Sequence, residues 1–275
     1  MRSIALALGA SLTWGFADFF GALKGRTLGA LRVLVYVQLG GLVVIALIVA
    51  IRWEGPADLD ALFAIPAAIS GTLGLYSFYR GMAVGAMSIV APIAGISAAV
   101  PVVFGIATGD RPSLWQWLGI AAALGGVFLA SRDPGRGGKM AAGVGLALLA
   151  AIGFGGYFPP MHAAGNADYW WASLIFRMTS TSIVLAAVAI RRPSLAVAPM
   201  QVPLLALVGI GDMVGNLLFA AASTSGLVSI TSVLASLYPI ITVLLARLVL
   251  KERVARSQEA GIALTLAGVA LISAG

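Results

Sequence analysis

DRPSLWQWLGIAAALGGVFLAS at residues 110–131 and ERVARSQEAGIALTLAGVALIS at residues 252–273 are two copies of one segment. At an offset of 142 the acid-arginine pair Asp110-Arg111 meets Glu252-Arg253, and Gln116 and Gly119 meet Gln258 and Gly261. The agreement runs on through Ile120/Ile262, Leu124/Leu266, Gly126/Gly268, Val127/Val269 and Ser131/Ser273. Chance agreement among small apolar residues would scatter over many offsets, but the further matches keep to nearly the same one. Gly85-x-x-Ser88-Ile89 matches Gly226-x-x-Ser229-Ile230 at 141, and Ala50-Ile51-Arg52 matches Ala189-Ile190-Arg191 at 139. At 138, Gly15-Phe16-x-x-Phe19-Phe20 matches Gly153-Phe154-x-x-Tyr157-Phe158. The chain therefore reads as a duplication, divided into residues 1–139 and 140–275.

What is duplicated is a set of greasy helices. Of 275 residues 60% are hydrophobic, only 17 are Lys or Arg and 10 Asp or Glu, and the mean hydropathy is +1.02. An aqueous domain carries about a quarter of its residues charged, so this composition belongs in lipid. Apolar stretches lie near 3–23, 33–51, 60–83, 86–108, 114–131, 141–160, 170–190, 200–223, 226–249 and 257–274. Each is near the length of about 20 residues that a bilayer demands, and lipid offers no partner to backbone amides, so each is expected to be a helix. Arg2 before an apolar run has the look of a secretion signal, but Trp14 and Asp18 interrupt its centre and nine more spans follow, so it reads as a retained helix. The fold expected is all-α and integral to the membrane, with ten transmembrane helices.

Five spans per half is an odd number, so the second half enters the bilayer from the opposite face. Two inverted five-helix repeats around a central cavity are the construction of alternating-access carriers.

The same residues resemble a known family, the EamA-type ten-span permeases of the drug/metabolite transporter superfamily, over the whole chain. The resemblance rests on Trp14-Gly15 with Lys24 closing the first helix, on the [Asp/Glu]-Arg-x4-Gln-x2-Gly element of both halves, and on Pro239 in the ninth span. It implies a basket of two inverted bundles and a carrier of small metabolites, often an exporter of amino acids, in a bacterial-type plasma (inner) membrane. Pro239 faces Ala98 at the repeat offset, so a matching irregularity in the fourth span has to come from Pro92 or Pro101. All three prolines free carbonyls within helices, and serve either as hinges or as harmless kinks.

Orientation draws two opposed expectations. Thirteen Lys and Arg fall between spans 1–2, 3–4, 5–6, 7–8 and 9–10, against Arg2, Arg52 and Arg111 on the other side. Short loops rich in Lys and Arg stay cytoplasmic, so the count places both termini outside. The resemblance implies both termini in the cytoplasm; the count is this sequence's own, and we follow it.

Charges within spans face cavities or partners, since one at a helix centre costs about 2.5–3.5 kcal/mol on the insertion scale. Asp18, Arg177 and Asp212 are such charges, with Arg80 at a helix end. Arg177 and Asp212 fall at similar depths: either Arg177 takes a substrate carboxylate and releases Asp212, or the two form a static buried pair. Asn216, one turn beyond Asp212, either orients a ligand or bonds a neighbouring helix. Asp18-Phe19-Phe20-Gly21 resembles the carboxylate-x-x-Gly of small multidrug-resistance proteins, which makes Asp18 the proton-coupling candidate, with Arg80 as the partner that would compete with that role. Trp14, Tyr76, Tyr79, Tyr157 and Tyr238 are candidates for cavity walls, where aromatic faces hold apolar groups and cations. Trp53, Trp115, Trp117, Trp170 and Trp171, near span ends, read as interface anchors. His162 reads as an incidental loop residue after Pro159-Pro160.

The absence of cysteine removes thiol chemistry, and no Ser/His/Asp set, paired histidines or phosphate loop points to an enzyme, a metal or a cofactor. Basic residues are dispersed rather than patched, so no nucleic-acid partner is expected. The expected partners are a small-molecule substrate and the lipid bilayer, with the oligomeric state left open and a monomer one of the options. A secondary carrier exporting small metabolites, with amino acids foremost, is the first reading. A passive facilitator or channel, and a carrier of sugars or lipid-linked substrates on the same scaffold, are the alternatives.

Overall fold

A computed structural model describes residues 2–56, 58–100, 113–133, 139–225, 231 and 234–274. The helices are α1 (Arg2–Leu28), α2 (Ala30–Arg52), α3 (Ala64–Val84), α4 (Met87–Ala94), α5 (Leu114–Ser131), α6 (Val144–Arg191), α7 (Val202–Ser225), α8 (Tyr238–Val249) and α9 (Arg256–Ala274). Among the described residues five stretches are long and apolar enough to cross a bilayer: Arg2–Leu28, Ala30–Arg52, Leu59–Val84, Val144–Arg191 and Pro199–Thr224. Shorter apolar helices run over Met87–Ser97, Leu114–Ala130 and Tyr238–Val249. A two-residue ladder, β1 (Arg132–Asp133) against β2 (Lys139–Met140), joins the two halves.

Turns are tight. Gly29, at φ 87°, takes the chain from α1 into α2 through a backbone shape that side chains resist. The sixth and seventh expected spans are one run of 48 residues, broken only at Asp168, whose backbone is extended. Asp168 Oδ1 accepts hydrogen bonds from Trp170 N at 2.9 Å and Trp171 N at 3.2 Å, capping the second stretch in place of a loop. His162 is therefore helical, not in a loop, and its Nε2 lies 3.1 Å from Asn166 Nδ2, one turn on.

The repeated glutamines have a local cause. Ser113 N donates to Gln116 Oε1 at 2.9 Å while Gln116 N donates to Ser113 Oγ at 3.2 Å, a capping box at the start of α5. Ala255 N donates to Gln258 Oε1 at 3.0 Å at the start of α9. Asp110 and Arg111, the first-half partners of Glu252 and Arg253, lie outside the described residues, as do Pro101, Gly226 and Ser229.

The halves interlock through contacts that come in exchanged pairs. A Cβ at Gly126 on α5 would collide with Thr265 and Gly261 of α9, and one at Gly268 on α9 would collide with Ala123 and Gly119 of α5. Adding 142 to one set of positions and subtracting it from the other turns each contact into the next, so a local two-fold axis relates these helices. Low numbers on α5 meet high numbers on α9, so the two run antiparallel.

Elsewhere the same exchange holds with slightly different offsets. Gly15 packs on Tyr238 and Ile241 as Gly155 packs on Ser97 and Val100, and Gly74 packs on Gly153 and Phe154 as Gly215 packs on Thr13 and Trp14. The ring pair Trp14–Phe219 is repeated as Phe154–Phe78. These pairings set α1 against α6 at an offset of 140, correcting the 138 suggested by residue identity: Asp18 corresponds to Phe158, not Gly156. Two aromatic-glycine motifs can slide past each other by two residues in an alignment, but backbone packing cannot.

Candidate functional site

The cavity between the halves holds about 60 Å³. From α1 come Trp14 and Asp18, from α2 Gln38, and from α3 Gly71, Thr72 and Leu75. The second half adds Phe154, Tyr157, Phe158, Phe176 and Ser180 of α6, Asp212 and Asn216 of α7, and Tyr238 of α8. Equivalent positions thus face each other with different chemistry. Asp212 stands opposite Gly71 and Asn216 opposite Leu75 at an offset of 141, while Asp18 stands opposite Phe158.

Arg177 is the largest of the fully buried side chains, 1% exposed. Its Nη2 donates to Asp212 Oδ2 at 2.6 Å and its Nη1 to Gln38 Oε1 at 2.6 Å. Gln38 is the residue equivalent to Arg177 at the offset of 139, so counterparts from the two halves touch across the local axis. Asn216 Nδ2 donates to the Asp212 carbonyl at 2.8 Å. Arg177 Nε has no partner among the described residues. The guanidinium sits behind Asp212 rather than on the cavity wall, so in this conformation it reaches no ligand. It has the geometry of the static pair.

Asp18 is 5% exposed and on the wall. Arg80, its expected competitor, is exposed and forms no pair with it. Around the carboxylate, the Trp14 ring lies 6.2 Å from Tyr157 and 6.3 Å from Tyr238, both edge to face. Tyr157 Oη, Thr72 Oγ1 and Ser180 Oγ are buried without a hydrogen-bond partner among the described residues.

Two tyrosines are elsewhere. Tyr76 is 36% exposed on the outer face of α3, because Thr72 and Leu75 occupy the inward stripe and it lies one step around the helix from Leu75. Tyr79 is buried, but its hydroxyl donates to the Ala17 carbonyl at 3.4 Å and packs on Gly21, wedged between α1 and α3 outside the cavity wall. Pro92 is inside α4, which tightens into a 3-10 turn over Gly95–Ala98. Pro239 lies in the first turn of α8, where a missing N–H costs nothing, rather than in mid-helix.

A charged contact joins the two halves away from the cavity. Arg26 of α1 donates through Nη2 to Glu252 Oε1 at 3.0 Å and to the Gly85 carbonyl at 3.0 Å, and through Nε to the Met82 carbonyl at 2.9 Å. Glu252 in turn accepts from Met87 N at 3.2 Å and Ser88 N at 2.9 Å, so a carboxylate of the second half caps the first turn of α4 in the first half.

Sequence reasoning missed Gln38, although a lone amide amid the apolar run of 33–51 is the same kind of signal that singled out Asp18. Thr72, Ser180 and the phenylalanines carried none, since such residues are common in any apolar helix. Among the described residues no group of three or more His, Cys, Asp or Glu is placed to hold a metal ion.

A helical membrane protein built of two interlocked repeats around a buried, largely aromatic cavity with a few polar groups fits a transporter of small solutes. The family model of the EamA-like transporter family matches it twice, over residues 1–132 and 141–274. This chain belongs to the EamA-like transporter family, a family of small-solute transporters and not of enzymes. A solved structure titled only "Crystal structure of protein" shares the fold, with a TM-score of 0.67 at 14% identity over 98% of this chain and 95% of the other. No curated protein gives a sequence match.

Proposed function

We infer that the protein is a secondary carrier that moves a small organic solute across a bacterial-type inner membrane by alternating access, with amino acids and related compounds foremost and export the working direction. The observation that carries this reading is the cavity set where equivalent residues of the two halves, Gln38 and Arg177, touch. A site on an exchange axis is reachable from either face by the same motion. The reading takes residues 1–139 and 140–275 as inverted repeats of five crossings each, and the antiparallel run of α5 and α9 supports it. Asp18 is the group placed to couple transport to protons, and Pro92 and the turn before Pro239 are the points where α4 and α8 depart from straight helices.

The test is flux of a labelled amino-acid panel into proteoliposomes with and without a pH gradient. A carrier gives saturable uptake and counterflow by unlabelled substrate. Flux that never saturates and shows no counterflow would make the protein a channel.

A further inference from the structure

With Asp18 ionised, the charges around the cavity do not balance. Arg177 is the one cation near it among the described residues, and both of its terminal nitrogens are already committed, to Asp212 and Gln38. That pair cancels. Asp18 is left: its carboxylate is buried on the wall and makes no hydrogen bond or ion pair among the described residues. Burying a charge without a partner is costly, and a partner from the ligand would remove that cost.

We propose that the cavity recognises a protonated amine on a small apolar body, with Asp18 as the residue that selects the charge. The surroundings fit an ammonium in three ways. Trp14, Tyr157 and Tyr238 present π-systems to the same space, and aromatic rings attract cations. The oxygens of Tyr157, Thr72 and Ser180 lack partners there and can accept N–H donors. Space for roughly five water-sized groups suits a short amine rather than a drug-sized one. A ligand carboxylate finds no such reception, because the guanidinium that would receive it is turned away behind Asp212. The inference rests on the carrier reading but moves simple amines ahead of amino acids as its substrate: what is recognised is the amine end of the solute, and a carboxylate is a burden.

Three molecules that share an isobutyl body and differ in carrying an amine, both groups or a carboxylate test it: isobutylamine, valine and isovalerate, titrated calorimetrically into the full chain in detergent. Isobutylamine is expected to bind at least tenfold tighter than valine, with isovalerate weakest. Asp18→Asn is expected to erase the preference while the melting temperature holds, and Asp18→Glu to keep it. Tighter binding of valine or isovalerate overturns the proposal, as does unchanged amine binding by folded Asp18→Asn, or no binding of any of the three. The comparison on the unmodified protein decides the matter even where a variant does not fold. Counterflow of whichever molecule binds reads the carrier step separately. Amine binding without counterflow keeps this proposal and removes the carrier, whereas valine counterflow without amine preference does the reverse.

Discussion

Arg177 Nη2 and Asp212 Oδ2 lie 2.6 Å apart in the centre of the molecule, at side-chain exposures of 1% and 11%. Both partners come from the second half, on α6 and α7, and the first half contributes only the Gln38 amide. Removing one member leaves the other charged and alone. Arg177→Gln or Asp212→Ala is therefore expected to cost about 3–5 kcal/mol of stability, whereas the paired change Arg177→Met with Asp212→Leu restores most of it. Melting of the detergent-solubilised protein measures both. Equal damage from the pair and the single variants would mean that the ions do more than cancel each other.

The Arg26–Glu252 contact binds α1 and the segment after α8 to the start of α4. Loss of a helix cap costs about 0.5–2 kcal/mol, so Glu252→Gln should weaken this contact without unfolding the chain. The protein has no cysteine, which makes single-site labelling clean. A cysteine in place of Ser88, whose side chain is fully buried beneath this contact, is expected to react several-fold faster with a soluble maleimide once Glu252→Gln is added. An unchanged rate would show that other contacts keep this position covered.

Gly126 and Gly268 are interchangeable by the local axis, and each faces backbone atoms of the opposite helix, which have no rotamer to move. Gly126→Ala and Gly268→Ala should each destabilise by about 1–3 kcal/mol, the ordinary cost of overpacking, and by similar amounts. A large difference between the two melting shifts would argue that the exchange of contacts is not a true symmetry.

Thirteen basic residues on one set of connections lead us to expect the termini outside, against the habit expected of the family. A phosphatase that folds only outside the cytoplasm, fused after Gly275, is expected to be active, and a fluorescent protein that folds only inside is expected to be dark. The opposite pattern overturns the charge count.

The duplication was legible because it survives in residues that backbones require: Gly126, Gly261 and Gly268 cannot be exchanged for larger side chains where helices touch. Gln116 and Gln258 were legible as a motif but not as caps, since the spacing alone does not say which amide they meet. Asp18, Asp212 and Asn216 stood out as polar residues in apolar runs, and all three line the one cavity. Tyr76 and Tyr79 did not sort correctly, because a position within a span fixes depth but not the direction around the helix. The lack of a loop between the two stretches of α6 was unreadable for a related cause: Asp168 caps a helix as easily as it ends a loop, and hydropathy dips at both.

When two related bodies swing past each other, points on the line that relates them scarcely travel. The Gln38–Arg177 bond lies on that line, since its two ends are images of one another. In the carrier proposed above, that makes the bond a fulcrum rather than a latch, expected to persist while the walls around Asp18 tilt and to spare Arg177 exposure to either compartment.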